Sequence, residues 1–154
     1  MPSPHLLPDA PRPRSDMNDE QRLLFDAAVA VQAHAHVPYS KYHVGCALIT
    51  DDGSVFAGAN IENAAYPQGW CAEASAIAAM ASAGHRRIRT LLTIGPGREL
   101  ATCCGGCRQK IREFADADTR VISTCADGLM AIYTMDELLP DSFGPENLDV
   151  VADE

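Results

Sequence analysis

The chain has 154 residues, of which 47% are hydrophobic and 21% are charged, as expected for a globular protein with one hydrophobic core. Its formal net charge of −9 argues against a partnership with long nucleic acids, whose phosphates it would repel. No apolar stretch approaches the roughly 18 residues of a membrane-spanning helix, and the first residues do not form a secretory signal. We therefore expect a cytoplasmic protein that has no membrane partner and takes a small ligand.

The first half of the chain predicts a leader, a helix and a hairpin. Residues 1–16 are rich in proline and have no hydrophobic periodicity, which predicts a disordered leader before one domain at residues 17–154. Asn18 and Gln21 have the spacing of a capping box, so a helix should begin there and run to about residue 35. Two apolar segments, at residues 42–50 and 55–60, flank an Asp-Asp-Gly turn and predict a β-hairpin.

The second half of the chain alternates between helical and strand patterns. Helices are predicted at residues 71–83, 104–114 and 136–139, and strands at residues 90–94, 120–124 and 129–133. The order α-β-β-α-β-α-β-β with a helical tail predicts a layered α/β fold with a mixed sheet. Ligands of such folds usually bind where strands end and helices begin, and both cysteine motifs of this chain stand at such positions.

Three cysteines suggest a metal site. Cys104 and Cys107 are three residues apart, so on a helical turn both thiols lie on one face, as two ligands of a tetrahedral ion require. Cys71 opens the preceding helix and can supply a third thiolate if the two helices begin side by side on the sheet. Both helix dipoles would favour the negative charge of the thiolates. We therefore predict one Zn²⁺ per subunit.

A glutamate accompanies the three thiols. Three protein ligands leave the fourth zinc position for water, which is the arrangement of a catalytic rather than a structural site. Zinc lowers the pKa of bound water to about 7, so a proton acceptor is needed beside it. Glu73, two residues after Cys71, is the candidate, although a glutamate in a first helical turn can also simply compensate the helix dipole.

Two non-catalytic interpretations remain open from the residues alone. A CxxC pair can be redox-active, in which case Cys104 and Cys107 would form a reversible disulfide. A structural zinc would need a fourth protein ligand, but Cys103 is adjacent to Cys104, and neighbouring residues rarely bind one tetrahedral ion. Cys46 and Cys125 lie in or beside strands and are predicted to be small core residues.

Taken together, the motifs resemble the cytidine deaminase family, specifically its small homotetrameric, zinc-dependent type. The resemblance covers about residues 20–146 and rests on several segments in the same order. They read PYSKYHVG at residues 38–45, NIENAAYP at 60–67, CAE at 71–73, CGGCRQ at 104–109 and FGP at 143–145. The resemblance implies a three-layer fold with a five-stranded mixed sheet flanked by helices, and a homotetramer with shared active sites.

The resemblance also implies roles for single residues. Cys71, Cys104 and Cys107 match the zinc ligands of the family, and Glu73 matches its catalytic proton shuttle. The remaining matches are substrate contacts. Asn60 and Glu62 would hold the ribose 3′-hydroxyl, Tyr42 and Ala72 would lie near the pyrimidine, and Phe143 would enter the active site of a neighbouring subunit.

Three positions depart from the family's usual residues. Cys103 stands where proline is common, Ala74 where many relatives have arginine, and Tyr42 where phenylalanine is usual. Three thiolates on Zn²⁺ leave a net charge of −1, so the alanine removes a positive charge that would balance it. The sequence does not identify a replacement, although Arg108 or another basic group is a candidate.

The functional hypothesis is hydrolytic deamination of cytidine and 2′-deoxycytidine to uridine and 2′-deoxyuridine in pyrimidine salvage. Zinc-bound hydroxide would attack C4, and Glu73 would carry protons to N3 and to the departing amino group, which leaves as ammonia. Two alternatives are kept. The same chemistry could act on another aminated heterocycle, such as a nucleoside antibiotic, or the chain could be a non-catalytic zinc or redox module.

Overall fold

The computed structural model describes residues 10–148 and contains a five-stranded sheet with helices on both faces. The helices are α1 (Asp19–Gln32), α2 (Ala72–Ser82), α3 (Gly105–Glu113) and α4 (Met135–Leu138). The strands are β1 (Gly45–Thr50), β2 (Val55–Ala59), β3 (Ile88–Ile94), β4 (Arg120–Thr124) and β5 (Met130–Tyr133). Short 3-10 helices lie at Arg14–Asp16, Tyr66–Gln68 and Pro145–Leu148.

The sheet is mixed, as predicted. Its strand order is β2-β1-β3-β4-β5, and only β3 and β4 are parallel to each other. The parallel pair is joined through α3, whereas β1 and β2 form the predicted hairpin. Because α2 follows β2 and α3 follows β3, both helices start at the same edge of the sheet, and they contact each other.

Most predicted boundaries agree with the structure, and the differences have local causes. The capping box at Asn18 and Gln21 is confirmed, but α1 ends at Gln32 because the chain tightens into a turn in which the His34 N–H donates to the carbonyl of Val31. The predicted strand at residues 42–50 begins only at Gly45. Before it, the Asn60 side chain, not a neighbouring strand, accepts from the Val44 N–H and donates to the Tyr42 carbonyl.

Buried side chains point alternately to the two faces of the sheet along the central strands, and this divides the core into two clusters. On one face, Cys46, Leu48, Leu91 and Val121 pack against α2 and α3. On the other face, the neighbouring residues pack against α1. These are Ala47, Ile49, Leu92, Ile94 and Ile122, which meet Leu24, Phe25 and Ala28. The two clusters explain the three layers, since side chains of adjacent strand residues point to opposite faces.

Residues shortly before α1 contact the rest of the fold. Residues 1–9 of the predicted disordered leader lie outside the described residues. Arg12, however, exchanges two backbone hydrogen bonds of 2.8 Å with Met130 on β5, and the Arg14 guanidinium lies 4.5 Å from the centre of the Phe25 ring. Arg12 and Arg14 therefore contact the fold, and the division of the chain at Met17 stays a prediction.

Among residues 10–148, no helix has both the length and the apolar character to cross a membrane.

A glycine allows α2 to lie close to the sheet. A Cβ at Gly58 on β2 would lie 2.4 Å from the backbone nitrogen of Ala76 and 2.5 Å from the Cβ of Ser75. The small residues of α2 complete this contact: Ala72 and Ala76 are fully buried. The position of α2 matters because its first residues carry the cysteine and glutamate of the predicted site.

We predict that Gly58→Ala destabilises the protein, because the added methyl group must displace the backbone of α2. Overpacking of this kind lowers the free energy of unfolding by about 1–3 kcal/mol. Chemical denaturation measures the change. Gly97→Ala is the matched control, since the nearest atom to its added Cβ is 3.9 Å away, and it should change stability by less than about 0.5 kcal/mol. Equal stability of the two variants would contradict the close contact.

Candidate metal centre

The three predicted cysteine ligands lie at the starts of two adjacent helices. Cys71 is the N-cap residue of α2, Cys104 is the N-cap residue of α3, and Cys107 lies in the first turn of α3. Neither N-cap thiol accepts a hydrogen bond from its own helix, so both remain free to face the third. The helix dipoles put partial positive charge at this point, which favours thiolates.

The distances between the sulfur atoms suit a single zinc ion. The ligand atoms of Cys71, Cys104 and Cys107 all lie within 4.8 Å of one another, and the Sγ atoms of Cys71 and Cys104 are 3.8 Å apart. Tetrahedral zinc with Zn–S bonds of about 2.3 Å separates its sulfur ligands by about 3.8 Å. The group could therefore hold one metal ion with little movement, and the predicted convergence of the three cysteines is confirmed.

Hydrogen bonds among the thiols distribute their protons unequally. The hydrogen bond from Cys107 is the largest effect that lowers the pKa of Cys71, to about 6, and a hydrogen bond from Cys104 and the positive charge of Lys110 add to it. The bond to Cys71, together with burial, raises the pKa of Cys107. The hydrogen bond between them thus favours the thiolate at Cys71 and the protonated thiol at Cys107, and metal binding requires Cys107 to release its proton.

No fourth protein ligand belongs to this group within residues 10–148: no further His, Cys, Asp or Glu places a ligand atom with the three sulfurs. Cys103 is only 2% exposed and belongs to the core cluster beneath α2 and α3. The Arg108 side chain fixes its position, since Nε donates to the Cys103 carbonyl at 2.8 Å. Three ligands leave one coordination position for water or substrate, as in catalytic zinc sites.

Glu73 lies in the first turn of α2, is only 6% exposed and borders the same cavity as Cys71 and Cys104. Burial above all, and then the charge and hydrogen bonding of Glu73, raise the pKa of the Cys103 thiol. Cys103 therefore stays protonated and can donate to the Glu73 carboxylate. A buried carboxylate beside a metal-binding group has the surroundings of a general acid or base.

The cavity beside the thiols has a volume of about 260 Å³, enough for a small heterocycle. Tyr42, Asn60 and Ala72, three of the predicted substrate contacts, line it. The Asn60 amide also fixes the wall of the cavity: its Oδ1 accepts from the Val44 N–H at 2.8 Å, and its Nδ2 donates to the Tyr42 carbonyl at 2.9 Å.

Two other predicted contacts lie elsewhere. Glu62 does not line this cavity, because its carboxylate accepts hydrogen bonds from the N–H groups of Tyr39 and Ser40 and from the Ser40 hydroxyl. Those bonds, that of the hydroxyl first, also lower its pKa. Phe143 is 58% exposed on the tail that follows α4, and its carbonyl accepts a 2.9 Å hydrogen bond from the Gln109 side chain on α3.

One wall of the cavity was not predicted. Val44 and the loop residues Leu100, Ala101 and Thr102 line it. The loop is tied to the sheet, because the Ala101 N–H donates to Thr124 at 3.0 Å and its carbonyl accepts from the Thr93 hydroxyl at 2.6 Å. The sequence held one indication that this loop lines the cavity: it comes directly before the CxxC motif. Residues that lead into a ligand-bearing helix usually border the site.

A family model places this arrangement among known proteins. The model described as the cytidine and deoxycytidylate deaminase zinc-binding region matches residues 18–124, which include all three cysteines and Glu73. The chain belongs to the cytidine deaminase family. The zinc prediction agrees with this family, whose zinc-binding region contains the three-cysteine group.

Individual members of the family resemble the chain over most of its length. A cytidine deaminase of Halalkalibacterium halodurans is 37% identical over 130 residues, which cover 84% of this chain and 98% of the relative. The crystal structure of a cytidine deaminase from Burkholderia pseudomallei superposes with a TM-score of 0.77 at 36% identity, over 82% of this chain and 100% of that one. The crystal structure of a cytidine deaminase from Mycobacterium tuberculosis superposes with a TM-score of 0.71 at 31% identity. The match covers 82% of this chain and 99% of that one. The predicted fold is confirmed.

Replacement of any one cysteine of this group should abolish tight zinc binding in this deaminase. We predict less than about one tenth of a zinc equivalent after dialysis for Cys71→Ala, Cys104→Ala and Cys107→Ala, because two thiolates do not retain the ion. Atomic absorption measures the metal-to-protein ratio. Cys125→Ala is the control, since Cys125 is equally a cysteine but is buried away from the group, and it should keep its zinc. Full zinc retention by the Cys71 variant would exclude it as a ligand.

Proposed function

We propose that the protein catalyses the hydrolytic deamination of cytidine and 2′-deoxycytidine to uridine and 2′-deoxyuridine, with release of ammonia, as a step in pyrimidine salvage. The observation that carries the proposal is the buried Glu73 beside the three-cysteine group at one end of a cavity of about 260 Å³. Membership of the cytidine deaminase family supports it. We assign Cys71, Cys104 and Cys107 as the zinc ligands.

The reaction needs a nucleophile and a group that moves protons. When bound, zinc supplies a Lewis acid that turns water into a nucleophile near neutral pH. Glu73 accepts the proton of that water and delivers it to N3 of the pyrimidine as the oxygen bonds to C4. It then carries the second proton to the amino group, the C4–N bond breaks, and ammonia leaves. The sum is cytidine plus water giving uridine plus ammonia.

The burial of Glu73 supports this cycle. A carboxyl group that must be both acceptor and donor works best where bulk water does not exchange its protons, and only 6% of Glu73 is exposed. The neutral Cys103 thiol beside it can hold the carboxylate by a hydrogen bond without adding charge. The Cys103 thiol therefore orients Glu73. A proline at position 103, as is common in the family, would restrict the backbone there but could not donate this hydrogen bond.

The remaining cavity residues provide the substrate contacts. Tyr42 forms an aromatic wall, and the buried Ala72 leaves space for the ring. Asn60 contributes the ribose contact: its Oδ1 has a second lone pair, and its position is fixed by the backbone bonds of residues 42 and 44. The contribution of Glu62 to the same hydroxyl stays a prediction, since its carboxylate binds residues 39 and 40 in this structure.

We further infer a cytoplasmic homotetramer in which Phe143 completes the active site of a neighbouring subunit. The ring is 58% exposed, and the tail that carries it is held on α3 by Gln109 and by Arg112, which donates to the Ser142 hydroxyl at 2.9 Å. An exposed aromatic residue on a fixed backbone is suited to a contact with another chain.

The proposal is tested by measuring ammonia release from cytidine, 2′-deoxycytidine and blasticidin S. We expect turnover of both nucleosides and loss of activity with a zinc chelator. Glu73→Gln should keep its zinc but lower kcat by at least about a thousandfold, because the amide cannot carry protons.

Glu113→Gln provides the matched control, since it makes the same change at the exposed last residue of α3. It should leave kcat unaltered. Near-normal activity of the Glu73 variant would refute its role as the shuttle. Turnover of blasticidin S alone would show that the substrate is another heterocycle, and zinc binding without ammonia release from any of the three would favour a non-catalytic module.

The shared active site predicts complementation between two inactive variants. Phe143→Ala and Glu73→Gln should each have low activity as homo-oligomers. Co-expressed, they should regain a measurable fraction of wild-type activity, because some sites then combine an intact Glu73 with an intact Phe143 from the neighbour. Light scattering reports whether the wild type is a tetramer. If the mixture has no more activity than the sum of the two parents, Phe143 does not act across the subunit boundary.

A further inference from the structure

The zinc site of this chain has a charge imbalance. Three thiolates and Zn²⁺ sum to −1, and the carboxylate of Glu73 lies close by. Ala74, next to Glu73, contributes no charge and is only 3% exposed. A positive charge near the thiolates would strengthen zinc binding, because it lowers the free energy of their deprotonated form.

Two of the three basic residues on α3 are directed elsewhere. Arg108 donates from Nε to the Cys103 carbonyl and from Nη1 to the Leu138 carbonyl, both at 2.8 Å, so its guanidinium faces the loop and α4. Arg112 binds the tail through the Ser142 hydroxyl and an ion pair with Glu146. Each of these arginines holds another segment of the chain in place.

Lys110 is directed back toward the metal centre. Helical side chains lean toward the N-terminus of their helix, and Lys110 stands four residues after Gly106. A Cβ at Gly106 would lie 3.8 Å from the Lys110 Nζ, so the ammonium group reaches the first turn of α3, between Cys104 and Cys107 in the chain.

An aromatic ring holds the ammonium group there. The Lys110 Nζ lies 5.7 Å from the centre of the Trp70 ring, within the range of a cation–π contact. Trp70 immediately precedes Cys71, and its backbone is fixed by two hydrogen bonds with Ile61, of 2.9 and 2.8 Å. The ammonium group is thus placed between the two chain segments that carry the cysteines.

We propose that the Lys110 ammonium, held against Trp70 beside the first turn of α3, supplies the positive charge that stabilises the thiolate ligands of the zinc site in place of a cation at position 74. The proposal rests on the proposed zinc ligands. Lys110 touches neither substrate nor metal and acts through the charge of the nearby thiolates.

The effect should be modest and sensitive to salt. Lys110 is exposed, so solvent and ions screen its charge. We expect Lys110→Met, which keeps the length of the side chain but removes the charge, to weaken zinc affinity about two- to fivefold at low ionic strength. Lys110→Arg should bind zinc as the wild type does, because it keeps a cation that can stack on Trp70.

The experiment is zinc competition against a chromophoric chelator with the full-length chain, at about 0.02 M and about 0.5 M salt. Arg22→Met is the control: it removes the same charge from α1, in the layer on the other side of the sheet, where Arg22 pairs with Asp19. The expected result is a weaker affinity of Lys110→Met relative to this control at low salt, and a smaller difference at high salt.

Three results would overturn the proposal: equal affinities of Lys110→Met and Arg22→Met at low salt, an equal loss in Lys110→Arg, or a difference that salt does not reduce. The last two would assign Lys110 a packing role. Wild-type protein that binds no zinc would instead contradict the three-cysteine site itself, so the two failures can be told apart.

Discussion

The convergence of two helix N-termini at one edge of the sheet is the constraint on which the site depends. The sulfurs of Cys71 and Cys104 come within 3.8 Å although 33 positions separate them in the chain. That distance requires α2 and α3 to pack side by side on one face, and α2 can do so only because Gly58 has no side chain. A small change in the position of either helix would therefore reach the metal ligands directly.

The same packing produces the buried surroundings of Glu73. The side chains beneath α2 include Cys46 and Cys103, whose pKa values burial raises, so both are neutral thiols in the core. A carboxylate in such a place is surrounded by weak hydrogen-bond donors and has little access to bulk water. The cavity wall formed by residues 100–102 depends on the same sheet, since Thr93 and Thr124 hold Ala101 from adjacent strands.

Much of the fold and the grouping of the three cysteines could be predicted from the sequence because both follow largely from local patterns. The spacing of Cys104 and Cys107 is the spacing of one helical turn, and the capping box at Asn18 is a contact between residues three apart. The position of Glu62 could not be predicted from the sequence. Its carboxylate accepts hydrogen bonds from backbone groups more than 20 residues away in the chain. The same holds for Arg12, whose pairing with β5 joins opposite ends of the chain.

The positive charge near the cysteine motifs of this site comes from a residue outside both motifs. A cation at position 74 would have to be desolvated, because Ala74 is only 3% exposed. Lys110 is exposed, so its ammonium group stays in contact with water. It therefore contributes charge with a smaller desolvation penalty, but with weaker coupling to the thiolates. The position of the Lys110 ammonium group depends on Gly106, which leaves room for it, and on the Trp70 ring, which it contacts. The sequence around Lys110 does not reveal either contact.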